Sequence, residues 1–133
     1  MDYDRRIRIL YVDDSQTILD MMESALLELG YLNIVSATDG VEALEACDEA
    51  EDEFDFIISD INMPNMDGIT FIQHLRNRLD YMSTPIMVVS TEWSKEMKQK
   101  GKDAGATSWI VKPFNKELIH QGILQTIKKA NES

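Results

Sequence analysis

Five short apolar runs, each followed by a helix-like segment, constrain the fold of this chain more than any other feature of its sequence. They are rich in β-branched and aromatic residues, and their length is typical of buried strands. The runs occupy residues 7–12, 33–37, 54–59, 85–90 and 106–111. Strands that alternate with helices predict right-handed crossovers and a parallel sheet covered on both faces. We therefore expect a three-layer α/β fold around a five-stranded parallel sheet.

The segments between the runs carry helix signals. Ser15 can cap the first helix, and Gly30 ends its apolar pattern at the C′ position. The fourth helix, expected over residues 93–104, is polar and rich in lysine. The acidic run at 48–53 is interpreted as a solvated helix end or loop. We expect residues 1–133 to form a single domain, with an ordered core over about 5–130.

Length, charge and cysteine usage narrow the class of protein. The 133 residues carry 13 Lys and Arg against 24 Asp and Glu, for a formal net charge of −11. This charge argues against nucleic acid or an anionic membrane as a partner. Cys47, the one cysteine, is interpreted as a core residue and fits a reducing compartment. With no secretory signal or membrane span recognised, we expect a soluble, cytoplasmic monomer.

Polar groups lie at the carboxyl ends of four of the predicted strands. In open α/β sheets this edge is where ligands bind. These groups belong to Asp13, Asp14, Asp60, Ser90 and Lys112. Three neighbouring carboxylates would repel one another and raise each other's pKa, and a divalent cation would remove that repulsion. Oxygen ligands with open water positions suit Mg²⁺, which often meets a phosphate.

A site of this composition is suited to phosphoryl transfer, which needs an in-line nucleophile and cations on the phosphoryl oxygens. Asp60 could be that nucleophile and form an acyl phosphate without a general base, since a carboxylate is already ionised at neutral pH. Taken alone, it could equally be a metal ligand or the N-cap of the next helix. His74 and His120 lie in predicted helices away from this edge and are interpreted as surface residues or as residues that only fill space in the packing.

In this order and spacing, the motifs resemble the receiver domain of two-component response regulators. The resemblance is carried by Asp13-Asp14, Asp60, Ser90 and Lys112-Pro113-Phe114, and the string 60–68 closely matches the family's phosphoacceptor loop. It covers about residues 5–130 and is nearest to the single-domain chemotaxis regulators of the CheY type. It implies a flavodoxin-like (βα)5 fold with sheet order 2-1-3-4-5.

The resemblance implies roles for the acidic residues and the lysine. Asp60 matches the aspartate that takes a phosphoryl group from a histidine kinase. Asp14 and Asp60 match direct Mg²⁺ ligands, with the backbone carbonyl of Asn62 as a third. Asp13 matches the acid that holds the metal through water, and Lys112 matches the lysine that pairs with the phosphoryl oxygens.

It also implies a switch. Ser90 matches the hydroxyl that turns toward the phosphoryl group, and Trp109 stands where the family usually has a Tyr, Phe or His that changes rotamer. Two departures are expected to matter. Thr91 replaces a small Ala or Gly and narrows access to the acceptor, and Trp109 is larger than the usual aromatic residue. The bond between Lys112 and Pro113 is expected to be cis.

Asn62 and Glu92 each lie two positions past a site residue, and we expect them to flank the attacking water and tune the phosphoryl lifetime. The implied partners are a histidine kinase or histidine phosphotransfer protein and a flagellar motor switch protein or phosphatase. We expect a phospho-accepting switch rather than an enzyme. The face formed by the fourth helix, fifth strand and fifth helix is its expected partner surface.

Three alternatives compete with a motor-binding chemotaxis switch. A phosphorelay intermediate or phosphate sink would use the same site. A phosphatase of the haloacid-dehalogenase type would need a second Asp two residues after the nucleophile, where this chain has Asn62. A flavin- or nucleotide-binding module would need a phosphate loop rich in Gly, Ser and Thr where two acids stand.

Overall fold

The predicted alternation is present in the computed structural model of the protein, which describes residues 5–132. The strands are β1 (Arg8–Val12), β2 (Asn33–Ala37), β3 (Phe56–Ser59), β4 (Ile86–Ser90) and β5 (Ser108–Val111). The helices are α1 (Gln16–Glu28), α2 (Gly40–Glu49), α3 (Gly68–Arg76), α4 (Lys95–Ala104) and α5 (Lys116–Asn131). All strand pairs are parallel and the sheet order is β2-β1-β3-β4-β5, which confirms the expected flavodoxin-like architecture.

Every helix is preceded by an N-cap residue whose side chain accepts a hydrogen bond from the backbone N–H three positions later. These N-caps are Ser15, Asp39, Asp67, Ser94 and Asn115. Each satisfies one of the amides left free at a helix start. Gly30 follows α1 with a φ of 96°, in the left-handed region that glycine enters easily, as its C′ position predicts.

The central strands bury both of their faces. One face packs under α2, α3 and the end of α4, with Leu10, Ile57 and Val88 in that cluster. The opposite face packs under α1 and α5, where Ile58 and Met87 lie. This two-sided burial explains why the runs read as continuously apolar rather than alternating. Within residues 5–132, no helix is long and apolar enough to cross a membrane.

Three elements begin two residues later than the sequence predicts, and β1 and β4 each begin one residue later. β3 starts at Phe56. Asp55 before it binds the start of β1, where its carboxylate accepts a hydrogen bond from the Arg8 N–H at 2.8 Å. β5 starts at Ser108 after the Thr107 hydroxyl accepts from the backbone of β4. α4 starts at Lys95, since its N-cap is the residue before, and Trp93 precedes the helix with a side chain 73% exposed.

Candidate functional site

Three carboxylates meet at the carboxyl edge of the sheet. Asp13 and Asp14 follow β1, and Asp60 follows β3, the neighbouring strand. Val12 stands opposite Ser59 in that strand pair, so the residues after them are brought side by side. One oxygen from each of the three carboxylates lies within 4.8 Å of the others, with Asp13 and Asp60 buried and Asp14 exposed.

Lys112 adds a cation to this cluster. Its Nζ donates to Asp13 Oδ2 at 2.7 Å and to Asp60 Oδ2 at 3.2 Å. The lysine follows β5, two strands away from β3, and its N–H donates to the Ser90 carbonyl at 2.9 Å. The peptide bond to Pro113 is cis. Lys112 therefore reaches across the end of β4 to the acidic residues.

Burial and charge shape the electrostatics of the cluster. Burial raises the pKa of Asp13 even though hydrogen bonds from Lys112 and the Ser15 N–H favour the carboxylate. Burial lowers the pKa of Lys112, but the hydrogen bond to Asp13 and the charge of Asp60 outweigh it, so the pKa is raised overall and the ammonium form is favoured. One ammonium among three carboxylates leaves two negative charges uncompensated. An all-oxygen donor set with that excess fits a divalent cation such as Mg²⁺.

The Asp60 carboxylate is oriented by the backbone around it. Its Oδ1 accepts from the Ile61 N–H at 2.7 Å, and the Asp60 N–H donates to the Val12 carbonyl at 2.9 Å. A Cβ at Gly68 would overlap the Asp60 carbonyl oxygen, so the start of α3 can pack here only with glycine. The acceptor candidate is thus held between the strand and the helix.

A second group of predicted residues meets at Glu92. Its N–H donates to the hydroxyl of the buried Ser90 at 3.2 Å, and its Oε1 accepts from Asn62 Nδ2 at 3.1 Å. Its carbonyl oxygen accepts from the indole Nε1 of Trp109 at 2.9 Å. The Ser90 hydroxyl makes no hydrogen bond to Asp60 in this arrangement. Glu92 therefore links the β3–α3 loop, the end of β4 and the aromatic residue of β5.

The two departures from the family pattern have different surroundings. The Trp109 side chain is half-buried beside Gly101 of α4, where an added Cβ would lie 2.7 Å from Cζ3. The large indole is therefore matched by the smallest residue on the facing helix. Thr91 is exposed, and its side chain makes no hydrogen bond to any residue of 5–132.

One residue of this edge escaped the sequence analysis. Asp39 follows β2 at the same edge and caps α2. Its Oδ2 accepts from Asn65 Nδ2 in the β3–α3 loop at 2.7 Å. Its place just after the carboxyl end of a strand could have identified it, because the same criterion was applied to the other four strands. His74 and His120 lie on α3 and α5, outside the carboxylate cluster.

This chain belongs to the response regulator receiver family, since the family model for the response regulator receiver domain matches residues 9–124. It is therefore a CheY-like signalling domain rather than a classical enzyme, and its three-aspartate cluster is typical of the Mg²⁺ site of receivers. The phosphatase and nucleotide-binding alternatives are set aside by this membership.

The relatives it resembles include chemotaxis proteins. It is 33% identical over 115 residues to chemotaxis protein CheY1 of Helicobacter pylori, covering 86% of this chain and 92% of the relative. Chemotaxis response regulator CheY4 of Vibrio cholerae superposes with a TM-score of 0.84 at 43% identity, covering 91% of this chain and 98% of that structure. The CheX-CheY-BeF3-Mg²⁺ complex from Borrelia burgdorferi gives a TM-score of 0.84 at 25% identity, covering 91% and 89%.

Proposed function

We propose that Asp60 accepts a phosphoryl group from a histidine kinase or histidine phosphotransfer protein, and that this modification changes partner binding. The observation that carries the proposal is the position of the Asp60 carboxylate. It lies within 4.8 Å of two other carboxylates and 3.2 Å from the ammonium of Lys112. A nucleophile at this position would lie between a cation of the protein and a set of ligands for a second cation.

Asp14 and Asp60 would hold Mg²⁺ directly together with the backbone carbonyl of Asn62, and Asp13 would hold it through water. When bound, the ion would neutralise charge on the phosphoryl oxygens during transfer. The family membership and the excess of negative charge support this ligand set. Lys112 would take the other side of the phosphoryl group, where it pairs with an oxygen as its contact to Asp13 loosens.

The reaction balances without a general base. An oxygen of the Asp60 carboxylate attacks the phosphorus of a phosphohistidine, and the P–O bond forms as the P–N bond breaks. The imidazole nitrogen keeps the electron pair of that bond and is protonated from solvent. The product is an acyl phosphate, and water that attacks its phosphorus later restores Asp60 and releases inorganic phosphate. Asn62 and Glu92 flank the path of that water.

The output is switched through the residues at Glu92. Phosphorylation adds roughly two negative charges and three acceptor oxygens. The Ser90 hydroxyl now accepts from the Glu92 N–H. A turn of this hydroxyl toward the phosphoryl oxygens would break that bond and free the loop before α4, whose Glu92 carbonyl oxygen binds Trp109. The partner surface is then the face formed by α4, β5 and α5.

The chemotaxis names of the relatives favour a cytoplasmic regulator of a flagellar motor switch. A pull-down with the purified protein, with and without beryllofluoride and Mg²⁺, tests this role against purified motor switch and histidine phosphotransfer proteins. We expect the motor switch protein to be retained only with the mimic, and Asp60→Asn to retain none. Retention of the phosphotransfer protein alone would indicate a phosphorelay intermediate or phosphate sink.

A further inference from the structure

The two ends of the loop between β3 and α3 are joined by a backbone hydrogen bond. Residues 60–67 join β3 to α3, and the Gly68 N–H donates to the Ile61 carbonyl at 2.8 Å. Near its tip, Asn65 has a φ of 66°, in the left-handed region that Asn and Gly enter most readily. We expect a loop closed in this way to move as one rigid segment. Contacts at its tip therefore also affect the position of its backbone carbonyl groups.

The tip is fastened to the start of α2. Asn65 Nδ2 donates to Asp39 Oδ2 at 2.7 Å, and the Gly40 N–H donates to the Met66 carbonyl at 3.1 Å. A Cβ at Gly40 would lie 2.6 Å from Met66 Cγ, so glycine is needed for this approach. These contacts lie on the α2 side of the loop, while the bond from Asn62 fastens its other side to Glu92.

Asp39 is itself held firmly. Its Oδ1 accepts from the Glu42 N–H at 2.8 Å, so both carboxylate oxygens are engaged, and the residue is only 8% exposed. The Glu42 carboxylate accepts in turn from the backbone N–H and the hydroxyl of Thr38, the residue before the N-cap, at 2.9 and 3.1 Å. The hydrogen bonds from Glu42 and Asn65 lower the pKa of Asp39, which keeps it ionised and strengthens both bonds.

We propose that Asp39 is a positioning residue for the metal site, acting through Asn65 on the loop that presents the Asn62 carbonyl oxygen. The inference rests on the proposed function, because only that function makes this carbonyl a metal ligand. Mg²⁺ demands near-ideal octahedral geometry, so a loop that loses its α2-side support offers a poorer third ligand. Mutation of a residue that orients a metal ligand through a hydrogen bond typically lowers metal affinity about 10–100-fold.

Asn65→Gly tests the contact with little change to the backbone, because glycine accepts the same positive φ. We expect the Mg²⁺ dissociation constant, measured by calorimetry, to rise about tenfold. The rate of phosphorylation by acetyl phosphate should fall at low Mg²⁺ and recover at saturating Mg²⁺. Asn77→Gly is the matched control, since Asn77 is exposed and its side chain makes no hydrogen bond to any residue of 5–132. It should keep the wild-type constant.

Asp39→Ser tests the other end of the contact. The shorter hydroxyl can still cap α2 through the Glu42 N–H but cannot reach Asn65. We expect the same loss of affinity as in Asn65→Gly, and no further loss in the double variant, because the two residues act as a unit. Hydrogen exchange of the metal-free protein adds a second readout, in which the Gly40 amide should exchange faster in both single variants.

Asp39→Asn provides a conservative rescue. Its amide oxygen can cap α2 while its NH₂ donates to the oxygen of a turned Asn65 amide. The Mg²⁺ affinity should then be close to that of the wild type. Unchanged Mg²⁺ affinity in Asn65→Gly and Asp39→Ser would overturn the positioning role, and so would additive losses in the double variant. The proposed function would stand in either case, provided that the wild-type protein binds Mg²⁺. A wild-type protein that binds no Mg²⁺ would overturn both.

Discussion

The indole Nε1 of Trp109 donates a 2.9 Å hydrogen bond to the backbone carbonyl oxygen of Glu92. The N–H of that same residue donates to the Ser90 hydroxyl, so both peptide groups of one loop residue are bonded to proposed switch residues. On the helix side the indole meets Gly101 closely enough that an added Cβ would have to displace it. Ser90 and Trp109 are therefore connected through a single residue.

This link predicts a fluorescence response. Trp93→Phe leaves Trp109 as the only tryptophan and removes an indole that is 73% exposed. In that background, beryllofluoride with Mg²⁺ should change the emission of Trp109, and Ser90→Ala should reduce the change while the protein still accepts phosphate. Silent Trp109 emission, together with undiminished partner affinity in Ser90→Ala, would contradict the coupling and leave α4 alone as the moving part.

The carboxylate cluster predicts weak Mg²⁺ binding that depends on its acids. Asp14 is the exposed member, and Asp14→Ala removes a proposed ligand without removing either bond of Lys112 to Asp13 and Asp60. We expect its Mg²⁺ dissociation constant to rise at least about tenfold in calorimetric titration, since Mg²⁺ is bound by few carboxylates. Glu45→Gln, which removes one negative charge from the exposed surface of α2, is the control. Equal affinity in the two variants would place the ion elsewhere.

The 3.1 Å hydrogen bond between Asn62 and Glu92 predicts coupled effects on phosphoryl lifetime. Asn62→Ala and Glu92→Ala should each change the rate of phosphate release, because both remove a side chain beside the proposed path of the attacking water. Glu92→Ala keeps the backbone bonds to Ser90 and Trp109 and so leaves the switch contacts in place. Residues in direct contact are generally non-additive, so the double variant should differ from the sum of the single changes. Wild-type rates in both single variants would exclude this role.

Cys47 supplies a prediction about the core. Burial raises the pKa of its thiol from an ordinary 9.0 to about 11. The neutral thiol is thus favoured by folding, and its contribution to stability is complete below pH 9 and lost as the pH rises through about 11. At pH 8 only about one part in a thousand is thiolate, so an aromatic disulfide reagent should label the native protein at least about 100-fold more slowly than the urea-unfolded protein. Equal labelling rates would mean that the thiol is accessible.

The sheet and the carboxylate cluster could be predicted because the rules behind them are local or topological. An apolar run followed by Asp or Lys fixes where a strand ends, and parallel strands bring their carboxyl ends to one edge. That reasoning brought Asp13, Asp60 and Lys112 together, and in the structure both carboxylates lie within 3.2 Å of the Lys112 ammonium. The starts of β3 and β5 were less predictable, because hydrogen bonds of Asp55 and Thr107 with neighbouring strands decide them.

Contacts between loops could not be predicted in this way. The bond from Asn65 to Asp39 depends on how two separate loops approach each other and on the positive φ of Asn65. The bond from Trp109 to Glu92 depends on a rotamer, which in turn depends on Gly101 of a different helix. No periodicity or spacing in the sequence encodes these relationships, although each joins residues whose types suit the contact.

Intact-mass spectrometry after treatment with acetyl phosphate and Mg²⁺ tests the role of Asp60 most directly. The wild-type protein should gain the mass of one phosphoryl group, and the gain should disappear on removal of Mg²⁺. Asp60→Asn keeps the shape of the side chain but lacks the nucleophilic oxygen, and it should gain nothing. Equal labelling of Asp60→Asn and the wild type would contradict the assignment of Asp60 as the acceptor.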